Sequence, residues 1–95
     1  MDLFPQVLQA VAVEYGFVLA YMNDGTVRRF DARPLIRAGG VFAPLQDESV
    51  FRKTLTVLND TVAWDISGKR DPADCIDIDP FTIQAMPRIV DPLAG

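Results

Sequence analysis

The chain of 95 residues contains no histidine and a single cysteine, Cys75. Without an imidazole there is no Ser-His or Cys-His nucleophile, none of the common zinc sites and no histidine pH switch. A lone cysteine closes no disulfide, and small exported domains usually carry an even set, so a cytoplasmic location is expected. Long hydrophobic runs are missing too: the stretch from Val7 to Met22 is broken by Gln9, Glu14 and Gly16, which excludes a membrane span. The N-terminus places Asp2 where a secretory signal carries Lys or Arg, and runs directly into a strand pattern. Ser67-Gly68-Lys69 lacks the upstream glycine of a phosphate-binding loop and reads as an ordinary turn. No catalytic constellation is present, and neither an enzyme activity nor a cofactor is expected.

What is present points to one globular domain over 1–95. Hydrophobic residues make up 49% and charged residues 23% of the chain, ordinary for a folded domain, and this length is served by one core. Val7 to Tyr15 alternates but is apolar on both faces in its middle, as a central strand is. Gly16 allows a reversal into a second strand, Phe17 to Met22. Asn23-Asp24-Gly25 tolerates the positive φ of a hairpin turn, and Thr26 to Phe30 returns as a third strand of an antiparallel meander. In that third strand side chains alternate, so the adjacent Arg28 and Arg29 point to opposite faces.

Asp31 is a helix cap by type, and Pro34 suits a first turn, predicting a helix over Ala32 to Ala38 that stops at Gly39-Gly40. Phe42, Pro44 and Leu45 read as an apolar connector. Asp47 caps a second short helix that buries Val50 and Phe51. Thr54 to Leu58 and Thr61 to Ile66 form a hairpin around Asn59-Asp60, with Leu55, Val57, Val62 and Trp64 on the core side and the alternating threonines and alanine on a wet face. Ser67 to Ile76 reads as a polar loop, Asp79-Pro80 opens a last helical turn, and Pro87 starts an extended tail through 95. The fold class expected is therefore α+β: a small antiparallel sheet of about five strands, meander plus hairpin, with two or three short helices.

Net charge is −4, unevenly placed. Residues 28–37 hold Arg28, Arg29, Arg33 and Arg37 against Asp31 alone, whereas seven aspartates follow from residue 60 onward. Arg33 and Arg37 are four apart and share a helix face, and arginine pairs bidentately with carboxylate and phosphate. These four arginines are the candidate partner-binding residues; the plainer reading pairs them with the protein's own Asp24, Asp31 or C-terminal aspartates. Asp71, Asp74, Asp77 and Asp79 invite a calcium reading, but their order does not fit an EF-hand loop, and a solvated acidic loop with Asp79 as a cap is preferred. Cys75, flanked by aspartates, reads as a structural or merely surface thiol of raised pKa. Trp64, in phase with Val62, reads as core.

The order of Phe17, Asp24, Gly25, Phe30, Asp31, Leu35, Ile36, Phe42, Leu45, Phe51, Val62, Trp64 and Asp77-Ile78-Asp79-Pro80 resembles the bacterial domain-of-unknown-function family 2442 (DUF2442). The resemblance covers nearly the whole chain after its first residues, departing from the family pattern in the connector between Trp64 and Asp77 and in the long tail. It implies a small α+β domain without established enzyme activity. Some family members carry an added DNA-binding domain, and others are encoded beside a small protein in the manner of toxin–antitoxin pairs. The leading expectation is a protein-interaction module, antitoxin-like, docking a small toxin-like protein through the Arg28–Arg37 segment and an open sheet edge. A nucleic-acid-binding or regulatory accessory domain and a homodimeric structural domain are the alternatives, with no role at a membrane.

Overall fold

A computed structural model describes residues 4–92, so Asp2 and the last three positions of the expected tail lie outside the described residues. The order of elements is β1 Val7–Glu14, β2 Phe17–Met22, β3 Val27–Asp31, α1 Arg33–Ala38, a 3-10 helix Gly40–Gln46, α2 Glu48–Thr54, β4 Leu55–Leu58, β5 Thr61–Trp64, β6 Ile76–Asp77, α3 Pro80–Gln84 and β7 Arg88–Ile89. The class is α+β, but the strands divide into two sheets, a four-stranded one in the order β1-β2-β3-β7 and a three-stranded one in the order β4-β5-β6. The expectation of one sheet of about five strands is corrected accordingly. The strands it omits, β6 and β7, are two residues long, too short to show an alternation. Phe42, Pro44 and Leu45 are not a plain connector but part of the 3-10 helix.

The β2–β3 and β4–β5 hairpins form where the turn chemistry asked for them. Gly25 has φ +84° and relieves the β2–β3 turn, while Asn59 (φ 55°) and Asp60 (φ 61°) carry the left-handed conformation of a two-residue turn between β4 and β5. The register pairs Leu55 with Trp64 and Val57 with Val62, the pairs expected. β5 is buried along its whole length, however, so its second face is not wet. Thr61 turns its hydroxyl inward and donates to the Ile78 carbonyl, and β6 pairs along the edge of β5 away from β4 through Ala63–Asp77 and Trp64–Ile76.

One core joins the two sheets. It combines Val7, Val18, Ala20, Met22 and Phe30 from the first sheet with Val62 and Trp64 from the second, closed by Ile36, Leu45, Phe51, Ile78 and Ile83. Burial of each Val, Leu, Ile, Met or Phe side chain among them contributes roughly 1.5–3 kcal/mol, which outweighs what the short helices supply by themselves. The β1 backbone is tied to the second sheet by the Val7 N–H, which donates to Asp60 O at 2.8 Å. The tail beyond Pro87 folds back as β7, with Val27 opposite Ile89 and Arg28 opposite Arg88.

The helix starts are short and capped. Asp47 accepts from the Ser49 N–H and Asp79 from the Phe81 N–H, as their positions predict. Asp31 differs: the N-cap of α1 is Ala32, and the Asp31 carboxylate reaches past it to accept from the Arg33 N–H at 3.0 Å. Asp31 is therefore still paired in β3, opposite Phe17, while satisfying the same orphan amide.

Candidate functional site

The basic segment spans β3 and α1, and the fold distributes its four arginines over two places. Arg28 points to the core side of the sheet edge, donating from Nη1 to the Met86 carbonyl at 3.0 Å and from Nε to the Thr26 hydroxyl at 3.2 Å. Arg29 points to the opposite face, where its guanidinium lies 4.0 Å from the centre of the Phe17 ring and 3.0 Å from Glu14 Oε1. Arg33, from the first turn of α1, stacks on the same ring at 4.4 Å. Phe17, 9% exposed, thus has two guanidinium groups laid over its ring.

Arg33 is also gripped by Asp31 through Nε and Nη2, both at 2.9 Å, the bidentate geometry that arginine favours. This bond holds the Asp31 carboxyl below its ordinary range, with the Arg33 amide and the charges of Arg33 and Arg37 adding to it. The neighbouring turn repeats the device, since the Thr26 hydroxyl and amide hold Asp24 low. Arg37, one turn beyond Arg33, makes no ion pair and no side-chain hydrogen bond among the described residues. The self-pairing expected of these arginines is thus met at Arg33 by Asp31, whereas Arg29 pairs with Glu14, outside the expected partners, and Arg37 is left over.

Beside Arg33 and Arg37 lies an open groove of about 480 Å³ lined by Tyr15, Arg33, Ile36, Arg37 and Gln46. Its floor is built by long-range hydrogen bonds. Tyr15 Oη donates to the Leu45 carbonyl at 2.7 Å, which lays its ring against the 3-10 helix, and Gln46 Nε2 donates to the Ile36 carbonyl at 3.1 Å, closing the end of α1. Ile36 is buried beneath. The Gln46 amide oxygen makes no hydrogen bond among the described residues. The groove therefore offers an apolar floor, one unengaged guanidinium, one half-engaged guanidinium and one amide acceptor. Tyr15, Phe17 and Gln46 escaped sequence reasoning, because the contacts that recruit them span gaps such as Tyr15 to Leu45.

A second groove, of about 370 Å³, lies against the other part of the 3-10 helix and is lined by Val41, Pro44, Ile66, Ala73, Asp74, Cys75 and Ile76. Val41 is 72% and Ile66 41% exposed. Burial, followed by the charges of Asp77, Asp65, Asp71 and Asp74, pushes the Cys75 thiol above its usual range. The aspartates around it have structural tasks: Asp71 accepts from the Ala73 N–H, Asp77 from Asn59 Nδ2 and Asp79 from the Phe81 N–H. Among the described residues no group of three or more such side chains is gathered to hold a metal ion. No helix among them is long and apolar enough to cross a membrane. Comparison of the chain with protein-family models, with curated proteins and with solved structures gave no match.

Proposed function

We propose that the chain is a non-enzymatic protein-interaction module, which docks a carboxylate-bearing, apolar-flanked segment of another polypeptide in the groove beside α1. The observation that carries this reading is Arg37, an exposed guanidinium without an ion pair among the described residues, standing over the Tyr15 and Ile36 floor. Exposed arginines bordered by apolar surface are favoured at protein interfaces, where a carboxylate supplies the missing partner. An antitoxin-like role beside a small protein, in the cytoplasm, is the form that the DUF2442 resemblance suggests for it.

Local charge favours a carboxylate over a nucleic-acid backbone. Arg29, Arg33 and Arg37 contribute three positive charges, and the bound Glu14 and Asp31 remove two, leaving +1. That suits one carboxylate, whereas a nucleic-acid groove must neutralise a run of phosphates. The test is a tagged pull-down from lysate of the source organism with nuclease treatment, comparing the wild type with Arg37→Glu and with Arg88→Glu as a charge-matched control. A protein held stoichiometrically by the wild type and the control but lost by Arg37→Glu supports the reading. Retention of nucleic acid alone, or a partner indifferent to Arg37, overturns it.

A further inference from the structure

The two grooves share a wall. Gln46 of the 3-10 helix borders the first, and Val41 and Pro44 of the same helix border the second. Each groove is apolar in its lining and carries one unengaged charge at the surface, of opposite sign. In the first it is Arg37. In the second it is Asp74, whose carboxylate accepts no hydrogen bond and meets no cation among the described residues. Asp74 sits at the exposed tip Pro72-Ala73-Asp74, a turn held by its own N–H donating to the Asp71 carbonyl at 3.0 Å.

A surface with two complementary halves on either side of one short helix has the form an isologous contact requires, in which residue i meets residue j and j meets i. We propose that this face pairs with a second copy of the chain about a two-fold axis near the 3-10 helix, so that Arg37 of each protomer meets Asp74 of its partner. The inference rests on the docking reading of the Arg37 groove and names the polypeptide that fills it. The apolar linings supply burial for Val41 and Ile66, which the monomer leaves in water. The reciprocal ion pair, formed twice, fixes the register. It also offsets the repulsion between two chains that each carry a net charge of −4.

Sedimentation equilibrium of the full chain, from micromolar to submillimolar concentration, tests the pairing together with charge-reversal variants. A reversible dimer is expected, with a dissociation constant raised roughly tenfold or more by Arg37→Glu or by Asp74→Arg alone. The double variant Arg37→Glu with Asp74→Arg restores the wild-type constant, because it re-forms the pair with its signs exchanged. Both sites are exposed, and circular dichroism verifies that each variant is folded. Alkylation of Cys75 by iodoacetamide gives a second readout: it slows several-fold as the wild type dimerises and stays fast in the single variants.

A wild-type monomer throughout the range overturns the self-pairing without touching the docking reading, which is judged by Arg37-dependent capture of another protein. An open series of oligomers overturns the two-fold arrangement. A dimer whose constant ignores both reversals, a double variant that fails to recover, or a Cys75 alkylation rate independent of concentration overturns the face assigned here.

Discussion

Trp64 is completely buried against Phe51, with ring centroids 5.8 Å apart, and its indole Nε1 has no hydrogen-bond partner among the described residues. Trp64→Ala is expected to cost about 3–5 kcal/mol in urea unfolding, through lost burial and an unfilled cavity. Trp64→Phe should cost less than half of that, since it keeps most of the packing and removes an N–H that is buried without a partner. Gly16 has φ +91°, and a Cβ built there meets Arg33 Cγ at 2.5 Å. Gly16→Ala should therefore lose roughly 1–2 kcal/mol, only part of it recovered when Arg33→Ala removes the clash, since the backbone strain stays. Tyr21 donates its phenol to Asp91 at 2.7 Å, a bond that pushes the tyrosine up to about 12 from an ordinary 10.0. The neutral phenol is the form the fold prefers, so this stability is complete below pH 10 and fades as pH rises from 10 toward about 12. Tyr21→Phe should be less stable than the wild type at pH 8, with the gap narrowing over that alkaline window in urea titrations. Single positions such as Trp64 were legible in the sequence because phase with Val62 is a local property; the roles of Tyr15 and Gln46 were not, because their partners lie far along the chain.

At the scale of elements, the β4–β5 turn does more than reverse the chain. Asn59 Nδ2 donates to the Pro72 carbonyl at 3.1 Å and to Asp77 at 3.0 Å, anchoring the loop that carries Asp74 and Cys75. Asn59→Gly keeps the positive φ and loses these bonds, whereas Asn59→Ala loses both. The expected order of stability is wild type, then Gly, then Ala, with a spread of about 1–3 kcal/mol in thermal unfolding. Alkylation of Cys75 should be faster in both variants, because the loop is released. The same loop is held from its other end by Asp65, which accepts from the Arg70 N–H at 2.9 Å, and by the Arg70 guanidinium on Thr56 and Val57. In α1, the cap expected at Asp31 fell one residue later because Asp31 is still a strand residue. Its side chain does the capping work across Ala32, a geometry that residue type alone does not distinguish from a true N-cap.

For the whole molecule, the shared core predicts that the two sheets unfold together. Differential scanning calorimetry at a concentration where the chain is monomeric should give one transition with equal calorimetric and van't Hoff enthalpies, since neither sheet retains a core when the other leaves. Removing 87–95 deletes β7, frees the β3 edge and breaks the bond from the Arg29 N–H to the Pro87 carbonyl; a loss of about 1–3 kcal/mol is expected in chemical unfolding. The sequence by itself determined the α+β class, both hairpin turns, the caps at Asp47 and Asp79, the opposite directions of Arg28 and Arg29 and the burial of Trp64. Each of these follows from neighbours a few residues apart, where alternation, turn chemistry and capping act. Tertiary structure alone decided that the strands split into two sheets, that the tail returns as β7, and that Arg29 and Arg33 are committed to Phe17, Glu14 and Asp31 while Arg37 is left over. Those outcomes depend on which distant segments meet, and two-residue strands and salt-bridge partners leave no periodic trace along the chain.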